Sequence, residues 1–192
     1  MSAEVLNDAS LHATCDEVLS SLQAGIAQYA MVTHPVFGKI WAYEVDGFGN
    51  SLMMDDANTP SLLSLPYLGY CAINDPLYQA TRNFVLSAAN PFFAAGQSGE
   101  GIASPHIGNG WIWPMSVAMR GITSSSETEI VGCLKTLKQS HAGTGFMHES
   151  YWKDDPSRFT RAWFCWANSL FGEFILKVFQ ERPILLGRKL NY

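Results

Sequence analysis

Two polar clusters in this chain carry side chains that could take part in acid–base chemistry. The first is Asp55-Asp56-Ala57-Asn58, directly before Thr59-Pro60 and an apolar run. The second is His148-Glu149, in a stretch rich in aromatic residues. Hydrolysis of a glycosidic bond requires a pair of carboxyl groups on either side of that bond. Aromatic side chains beside polar loops also suit a carbohydrate, because the C–H face of a sugar ring packs on them.

Glu149 is the first candidate for a catalytic group. It stands between His148 and Ser150 and close to several aromatic residues, so it could lie in a partly dry pocket. Such a pocket would tune it for general acid or base work. The alternative is a loop glutamate bonded to backbone donors. The His148-Glu149 pair does not extend to H-E-x-x-H, because Trp152 occupies the position of the second histidine, and this excludes a zinc protease.

The pair Asp55-Asp56 allows three interpretations. With Asn58 it could coordinate a hard cation, bind sugar hydroxyls, or cap a helix that begins near Pro60. An EF-hand loop is excluded, because the further oxygen ligands and the distal glutamate of that motif are missing. We expect one carboxylate of the pair to cap and the other to face the cleft.

Three further residues are candidates for a substrate site, each with a structural alternative. Asp46 precedes a glycine-rich turn, so it could share a site with the Asp55-Asp56 pair or only organise that turn. His106 could contact a sugar or be a structural loop histidine. Arg161 could orient Glu149, or pair with a surface carboxylate such as Asp154, where it would contribute little.

Composition excludes several classes of protein. The 192 residues are 47% hydrophobic with a net charge of -5, which indicates one domain with a core and argues against a nucleic-acid partner. The four cysteines form no C-x-x-C motif, so we expect them to be buried, reduced and structural, without a metal. The sequence has no apolar run of about 18 residues, so no membrane span is expected. Residues 1–8 lack signal-peptide features.

Helices are predicted where apolar residues recur at steps of three and four or where capping residues precede an apolar run. They are expected over residues 11–29, from Pro60, over 75–88, over 111–122, from Ser126 and over 157–180. Residues 37–45 favour extended structure, which suggests a short β-hairpin near 37–52. Residues 90–110 are rich in Gly, Pro, Ser and Asn and predict a long loop. The predicted fold is therefore all-α, with about six helices and long loops, as in an α/α toroid.

Several segments together resemble glycoside hydrolase family 125, the exo-acting α-1,6-mannosidases. The resemblance extends over nearly all of residues 34–176. The segments that carry it are residues 42–49, residues 54–58 through 69, Ser104-Pro105-His106, Trp113-Pro114-Met115, residues 145–150, and residues 160–164 through 173.

This resemblance implies metal-independent, inverting hydrolysis of a terminal α-1,6-linked mannose on an (α/α)6 barrel, without a cofactor. It implies that Glu149 is the general base. The general acid of the family is an aspartate in an Arg-Pro-Ser-Asp-Asp segment, which this sequence lacks. Residues 1–192 are accordingly expected to be a single domain, the C-terminal half of such an enzyme and part of the barrel. A mannose-containing oligosaccharide is the expected partner.

Two functions remain open from the sequence. The first is the mannosidase-type hydrolase, whose candidate substrate-binding residues are Asp46, Asp55, Asp56, Asn58, His106, His148 and Arg161. The second is a catalytically silent, carbohydrate-binding or structural remnant of such an enzyme, without the acid. On either reading, a half-barrel would expose an apolar face. The compartment, the natural glycan and the oligomeric state stay undetermined.

Overall fold

A computed structural model of the protein describes residues 7–187. Residues 1–6, on which most of the signal-peptide expectation rests, lie outside this range, as do residues 188–192. The expectation of a single domain over residues 1–192 stays a prediction. No helix among the described residues has both the length and the apolar character needed to cross a bilayer.

The described chain contains six α-helices and nine short strands. The helices are α1 (Ala9–Gly25), α2 (Pro76–Val85), α3 (Pro114–Ile122), α4 (Glu127–Ser140), α5 (Cys165–Glu181) and α6 (Ile184–Gly187). A π-helical turn, Ile26–Ala30, extends α1. The strands are β1 (Met31–His34), β2 (Gly38–Trp41), β3 (Glu44–Val45), β4 (Ser51–Leu52), β5 (Phe93–Gly96), β6 (Gly99–Ile102), β7 (Trp111–Ile112), β8 (Ser150–Trp152) and β9 (Asp155–Thr160).

The strands form four small antiparallel sheets. Three are hairpins, β1–β2, β3–β4 and β5–β6, and the fourth has the order β7-β8-β9. Strand β7 pairs with β8 through Trp111 opposite Trp152, so this sheet joins segments far apart in sequence. The all-α expectation is therefore too narrow, because small sheets accompany the helices.

Two predicted helix starts are confirmed by their capping bonds. The Asp75 carboxylate accepts hydrogen bonds from the backbone N–H of Leu77 at 2.8 Å and of Tyr78 at 2.9 Å, and α2 begins at Pro76. The Ser126 hydroxyl accepts from the Glu129 N–H at 3.4 Å, and α4 follows. Each cap satisfies backbone donors that the first turn of a helix leaves free.

Four predicted elements are wrong or shortened. Residues 60–69 form turns instead of a helix, since the Asp55 carboxylate and the Ser61–Ser64 bonds take the backbone donors locally. The expected loop over 90–110 contains the β5–β6 hairpin. Residues 111–112 and 157–160 are strands, so helices begin only at Pro114 and Cys165. These strands have only two to six residues, too few to leave a clear periodic signal in the sequence.

The core is organised around α3, which packs against both α4 and α5. Eight residues of α3 are buried, from Pro114 to Met119 together with Gly121 and Ile122. Helix α1 contrasts with α3, because no residue of α1 is buried. Its apolar side chains Leu11, Val18, Leu19 and Leu22 are between 39% and 60% exposed. The amphipathic pattern of α1 thus has no partner surface among residues 7–187. Cys15 on this helix is exposed, as is Cys165, so the expectation of buried cysteines is wrong for these two, while Cys133 is buried.

The contact between α3 and α5 depends on Gly121. A β-carbon at this position would lie 2.2 Å from Cζ of Phe174. We expect Gly121→Ala to lower the free energy of unfolding by about 2 kcal/mol, because overpacking outweighs the better helix propensity of alanine. Urea denaturation would measure the change.

Gly132 on α4 is the matched control, since nothing lies within 4 Å of the β-carbon position. Gly132→Ala should raise the free energy of unfolding by about 0.5–1 kcal/mol through helix propensity alone. Adding Phe174→Leu to Gly121→Ala should recover part of the loss. A Gly121→Ala protein as stable as the unmodified chain would contradict this account of the packing.

A partly buried ion-pair network connects α2, α3 and α4. Glu129 Oε2 lies 2.9 Å from Arg82 Nη2, and Glu129 Oε1 lies 2.7 Å from Arg120 Nε. The Ser124 hydroxyl also donates to Glu129. The side chain of Arg82 is only 10% exposed, so it depends on Glu129 for its compensating charge.

Removing Glu129 should therefore destabilise the fold strongly. We expect Glu129→Ala to lower the free energy of unfolding by about 3 kcal/mol, because it leaves a buried guanidinium without a counter-charge. Glu100→Ala is the comparison, since Glu100 pairs with Arg120 from a side chain that is 49% exposed. Its loss should be below about 1 kcal/mol. Equal losses of unfolding free energy in the two variants would show that burial does not determine how much each ion pair contributes to stability.

Candidate active site around Glu149

Glu149 lies immediately before β8 in a segment held from two sides. Its backbone N–H donates to the Thr160 carbonyl at 3.2 Å, at the end of β9. On the other side, Asn168 of α5 bonds to both backbone groups of Met147: its Oδ1 accepts from the N–H at 3.1 Å and its Nδ2 donates to the carbonyl at 2.9 Å. The glutamate therefore sits on a backbone fixed between β9 and the first turn of α5.

The carboxylate of Glu149 forms an ion pair with Arg161. Nε of Arg161 lies 3.1 Å from Oε1 of Glu149, and the two side chains are 62% and 5% exposed, respectively. The carboxylate thus lies inside while its partner reaches it from the solvent side. A buried charge needs such a partner, because burial removes its hydration. Of the two pairings that the sequence left open for Arg161, the structure contains the one with Glu149; Asp154 pairs with Lys153 instead.

Arg161 holds this position with an unusual backbone. Its φ of 49° lies in the left-handed region, which costs free energy for a residue other than glycine. Both neighbours of Arg161 are tied down: the Thr160 carbonyl accepts from Glu149, and the Ala162 carbonyl lies 2.9 Å from Nδ1 of His148. The strained conformation is therefore imposed by hydrogen bonds on either side of it.

His148 is buried and supports this loop. Its ring lies parallel to that of Phe159, with centroids 3.8 Å apart and planes at 4°. Because the carbonyl of Ala162 can only accept, Nδ1 carries the hydrogen of this bond. His148 has 0% exposure, and its buried Nε2 has no hydrogen-bond partner among the described residues. A sugar on the surface of this structure would not reach the ring.

The Asp55-Asp56 pair divides between two environments. Asp55 is fully buried, and its two oxygens accept from the backbone N–H of Leu62 at 2.8 Å and of Leu63 at 3.0 Å. Asp56 is only partly buried, and its Oδ1 accepts from both the backbone and the side-chain nitrogen of Asn58 at 3.0 Å. One carboxylate thus caps a buried turn while the other stays near the surface, although the helix that we expected after them is absent.

Asn58 links this pair to the loop that carries His106. Nδ2 of Asn58 lies 3.4 Å from Oγ of Ser104, and the same hydroxyl accepts from the His106 N–H at 3.2 Å. The imidazole of His106 is exposed and lies edge-on to Trp113, with ring centroids 6.5 Å apart. The candidate residues Asp56, Asn58 and His106 therefore belong to one connected group.

Aromatic contacts connect that group to Glu149. The ring of Phe164 lies 6.0 Å from Trp113 on one side and 5.8 Å from the guanidinium carbon of Arg161 on the other. The Phe164 N–H also donates to the Met147 carbonyl at 3.1 Å. Phe164 and Trp113 thus join segments that the sequence presents separately. Sequence reasoning assigned no role to Phe164, and no short motif could have revealed contacts that depend on the tertiary fold.

Asp46 serves its own turn. Its carboxylate accepts from the backbone N–H of Phe48 at 2.8 Å and of Asn50 at 3.1 Å, and from the Asn50 side chain. These hydrogen bonds hold the pKa of Asp46 below its usual range. All of them lie within the β3–β4 turn, so the described contacts do not connect Asp46 to Glu149.

No group of three or more His, Cys, Asp or Glu side chains among residues 7–187 is arranged to hold a metal ion. The arrangement instead offers one buried carboxylate with a cationic partner, connected through aromatic rings to the polar side chains of Asp56, Asn58 and His106. These are features of glycoside hydrolase sites, in which carboxyl groups and hydrogen-bonding side chains act on a sugar.

Comparison with known proteins identifies the family. The family model for metal-independent α-mannosidases (GH125) matches residues 1–176. The chain belongs to glycoside hydrolase family 125.

Two related proteins are considerably longer than this chain. The Meiotically up-regulated gene 157 protein of Schizosaccharomyces pombe is 51% identical over 170 residues, which are 88% of this chain and 33% of that protein. A solved metal-independent α-mannosidase of Streptococcus pneumoniae, in a non-productive complex with α-1,6-mannobiose, matches with a TM-score of 0.90 and 42% identity. That match covers 94% of this chain and 43% of the other. The chain thus spans less than half the length of either protein.

Asp55 should make the stability of the fold depend on pH. Burial raises its pKa from 3.8 to about 7, against the opposing effect of the backbone hydrogen bonds from Leu62 and Leu63. The folded state therefore binds this proton more tightly than the unfolded state, so the stability due to Asp55 is present at low pH and is lost as the pH rises through about 7. The contribution of Asp55 to the free energy of unfolding should therefore fall between about pH 4 and about pH 7, and level off at higher pH.

Asp55→Asn tests this assignment, because the amide cannot ionise. The fall in unfolding free energy over the same pH range should be clearly smaller in this variant. Asp46→Asn is the control: the pKa of Asp46 lies below 3.8 in the folded state, so its effect belongs to more acidic pH. An unchanged pH dependence in Asp55→Asn would show that another group titrates.

Proposed function

We propose that this chain forms part of an enzyme that hydrolyses terminal α-1,6-linked mannose with inversion, with Glu149 as the general base. The observation that carries this proposal is the buried Glu149 carboxylate, which Arg161 pairs at 3.1 Å on a backbone fixed from two sides. Family membership supports the reaction class, and the α-1,6-mannobiose bound to the Streptococcus pneumoniae enzyme supports the substrate.

The general base acts on water rather than on the sugar. In an inverting hydrolysis, Glu149 accepts a proton from a water molecule as the water oxygen attacks the anomeric carbon. A carboxylic acid about 6.5–9.5 Å away donates its proton to the leaving oxygen. The Arg161 guanidinium orients the Glu149 carboxylate and leaves its second oxygen available to the water. His148 holds the Ala162 carbonyl and so positions Arg161, in place of the direct sugar contact expected from the sequence.

The remaining candidate residues fall into two groups, according to whether their side chains are accessible or are already held by backbone donors. Asp56, Asn58 and His106 lie in the connected group and are partly or fully exposed, so we assign them to sugar hydroxyls. Asp55 and Asp46 keep their oxygens on backbone donors, so we assign Asp55 to the support of the segment that carries Asp56 and Asn58, and Asp46 to its own turn.

We propose that residues outside this sequence supply the general acid and the rest of an (α/α)6 barrel. The Arg-Pro-Ser-Asp-Asp segment is absent from the 192 residues, and the Streptococcus pneumoniae enzyme extends well beyond the matched 43% of its length. The exposed apolar face of α1 is a surface on which further helices would pack.

The second candidate function is binding of a mannose-containing oligosaccharide without cleavage. One observation favours it for this chain alone: Asp46, Asp55 and Asp56 each already accept hydrogen bonds from their own or a nearby turn. Each of the three carboxylates is therefore already engaged in hydrogen bonds within the chain. The 192-residue chain by itself would then keep sugar contacts while lacking proton donation to the leaving group.

Hydrolysis of α-1,6-mannobiose by the 192-residue chain alone separates the two functions. We expect little or no mannose release, because the general acid is missing. Released mannose would be measured by chromatography against the unmodified disaccharide. Robust turnover would contradict the proposal that the general acid lies outside this sequence. It would make Asp46, Asp55 and Asp56 candidates for the acid.

The role of Glu149 is tested in a completed enzyme, for example a chimera in which this chain replaces the matching 43% of the Streptococcus pneumoniae enzyme. Glu149→Gln should lower kcat by about 10³-fold, because the amide cannot accept the proton from water. KM should stay within a few-fold, since size and shape are kept. Glu100→Gln, a change in an exposed carboxylate, should leave both constants unchanged. Retained activity in Glu149→Gln would remove Glu149 from the mechanism.

A further inference from the structure

A second pocket lies between the Asp55–Gly69 segment and helix α5. Its volume is about 190 Å³, and its floor is formed by the buried side chains of Met115 and Leu170. One wall is the indole of Trp166, which is 63% exposed. A large aromatic ring that stays accessible beside an apolar floor is available to pack against a ligand.

The rest of the pocket is polar. The Tyr67 hydroxyl donates to Oε2 of Glu173 at 2.9 Å, and this bond raises the pKa of Tyr67, so the phenol stays protonated. Both side chains are exposed, and the hydroxyl-bearing residues Thr59 and Ser169 also line the pocket. The bond joins two segments 106 residues apart and fixes the direction of both groups. The unused oxygen of Glu173 remains available as an acceptor.

Contacts of Phe164 connect this pocket to the Glu149 site. The ring of Phe164 lies 5.5 Å from Trp166 and 5.8 Å from the guanidinium carbon of Arg161. Thr59 directly follows Asn58, whose side chain belongs to the connected group around His106. One oligosaccharide could therefore contact both places.

A larger pocket elsewhere does not offer a comparable site. It has a volume of about 360 Å³ and is lined by Glu100, Arg120 and Glu129 among others. The charges of these three residues are already compensated in the network that connects α2, α3 and α4, in which Arg82 supplies the second cation. That pocket therefore belongs to the stabilising network of the fold.

We propose that the pocket of Trp166, Tyr67 and Glu173 binds one hexopyranose residue of the oligosaccharide whose bond is cut at Glu149. The C–H face of the sugar packs on the Trp166 indole above the apolar floor. Its hydroxyls bond to Glu173, to the Tyr67 oxygen and to the hydroxyls of Thr59 and Ser169. The identity of the sugar as mannose rests on the proposed function. The inference that the pocket binds a hexopyranose rests on the geometry of its lining residues.

The test is a titration of the ¹⁵N-labelled 192-residue chain with α-1,6-mannobiose, followed by two-dimensional NMR. We expect saturable shifts of the Trp166 indole N–H and of the backbone amides of residues 67, 169 and 173. Trp166→Ala and Glu173→Gln should each weaken binding about tenfold, the size expected for a central contact. Both side chains are exposed, so the variants should fold, and their amide spectra would verify it.

Trp163→Ala is the matched control, since Trp163 is 55% exposed and does not line the pocket. Its affinity should equal that of the unmodified chain. Unchanged affinity in both pocket variants would overturn the proposal. The absence of any saturable shift would also overturn it, and the function proposed for Glu149 would still be judged by hydrolysis in the completed enzyme. Shifts confined to His148, Glu149 and Arg161 would overturn the pocket while supporting the proposed function.

Discussion

The burial of the Glu149 carboxylate is the constraint on which the described site depends. A carboxylate that is 5% exposed needs a cation or hydrogen-bond donors at close range, and Arg161 supplies a cation at 3.1 Å. Arg161 reaches it from a backbone with a φ of 49°, a conformation that costs free energy. The bonds of Thr160 and Ala162 impose this conformation, so strand β9 and the buried His148 determine where the guanidinium lies.

Two other carboxylates of the fold, one buried and one partly buried, meet the same requirement in different ways. Asp55 uses two backbone N–H groups, which close a turn but leave the effect of burial dominant, so its pKa rises to about 7. Glu129 uses two guanidinium groups and thereby ties three helices together. Arginine partners and the Ser124 hydroxyl hold the pKa of Glu129 below its usual range against the effect of burial, whereas backbone donors alone do not offset the burial of Asp55. Glu149 differs from Asp55 in having a cationic partner, Arg161, at 3.1 Å.

The apolar surface of the described chain fits a larger assembly. Helix α1 exposes its apolar side chains, and α5 exposes Leu176 and Phe179 at 60% and 63%. The related proteins are more than twice as long, so additional segments are available to cover such faces in them. For this chain, covering by further helices remains part of the proposed function. The interior around α3 is closed, so the site has a rigid support without that cover.

Local chemistry in the sequence determined the helix starts at Asp75 and Ser126, because a cap acts within four residues. Residue type and near neighbours also made Glu149 a candidate and predicted that the two carboxylates of Asp55-Asp56 would differ in environment. The tertiary structure alone decided that Phe164 joins Trp113 to Arg161, that His148 is buried, and that residues 111–112 pair with β8. These contacts connect distant segments, and the free energy that selects them comes from packing that no local pattern records.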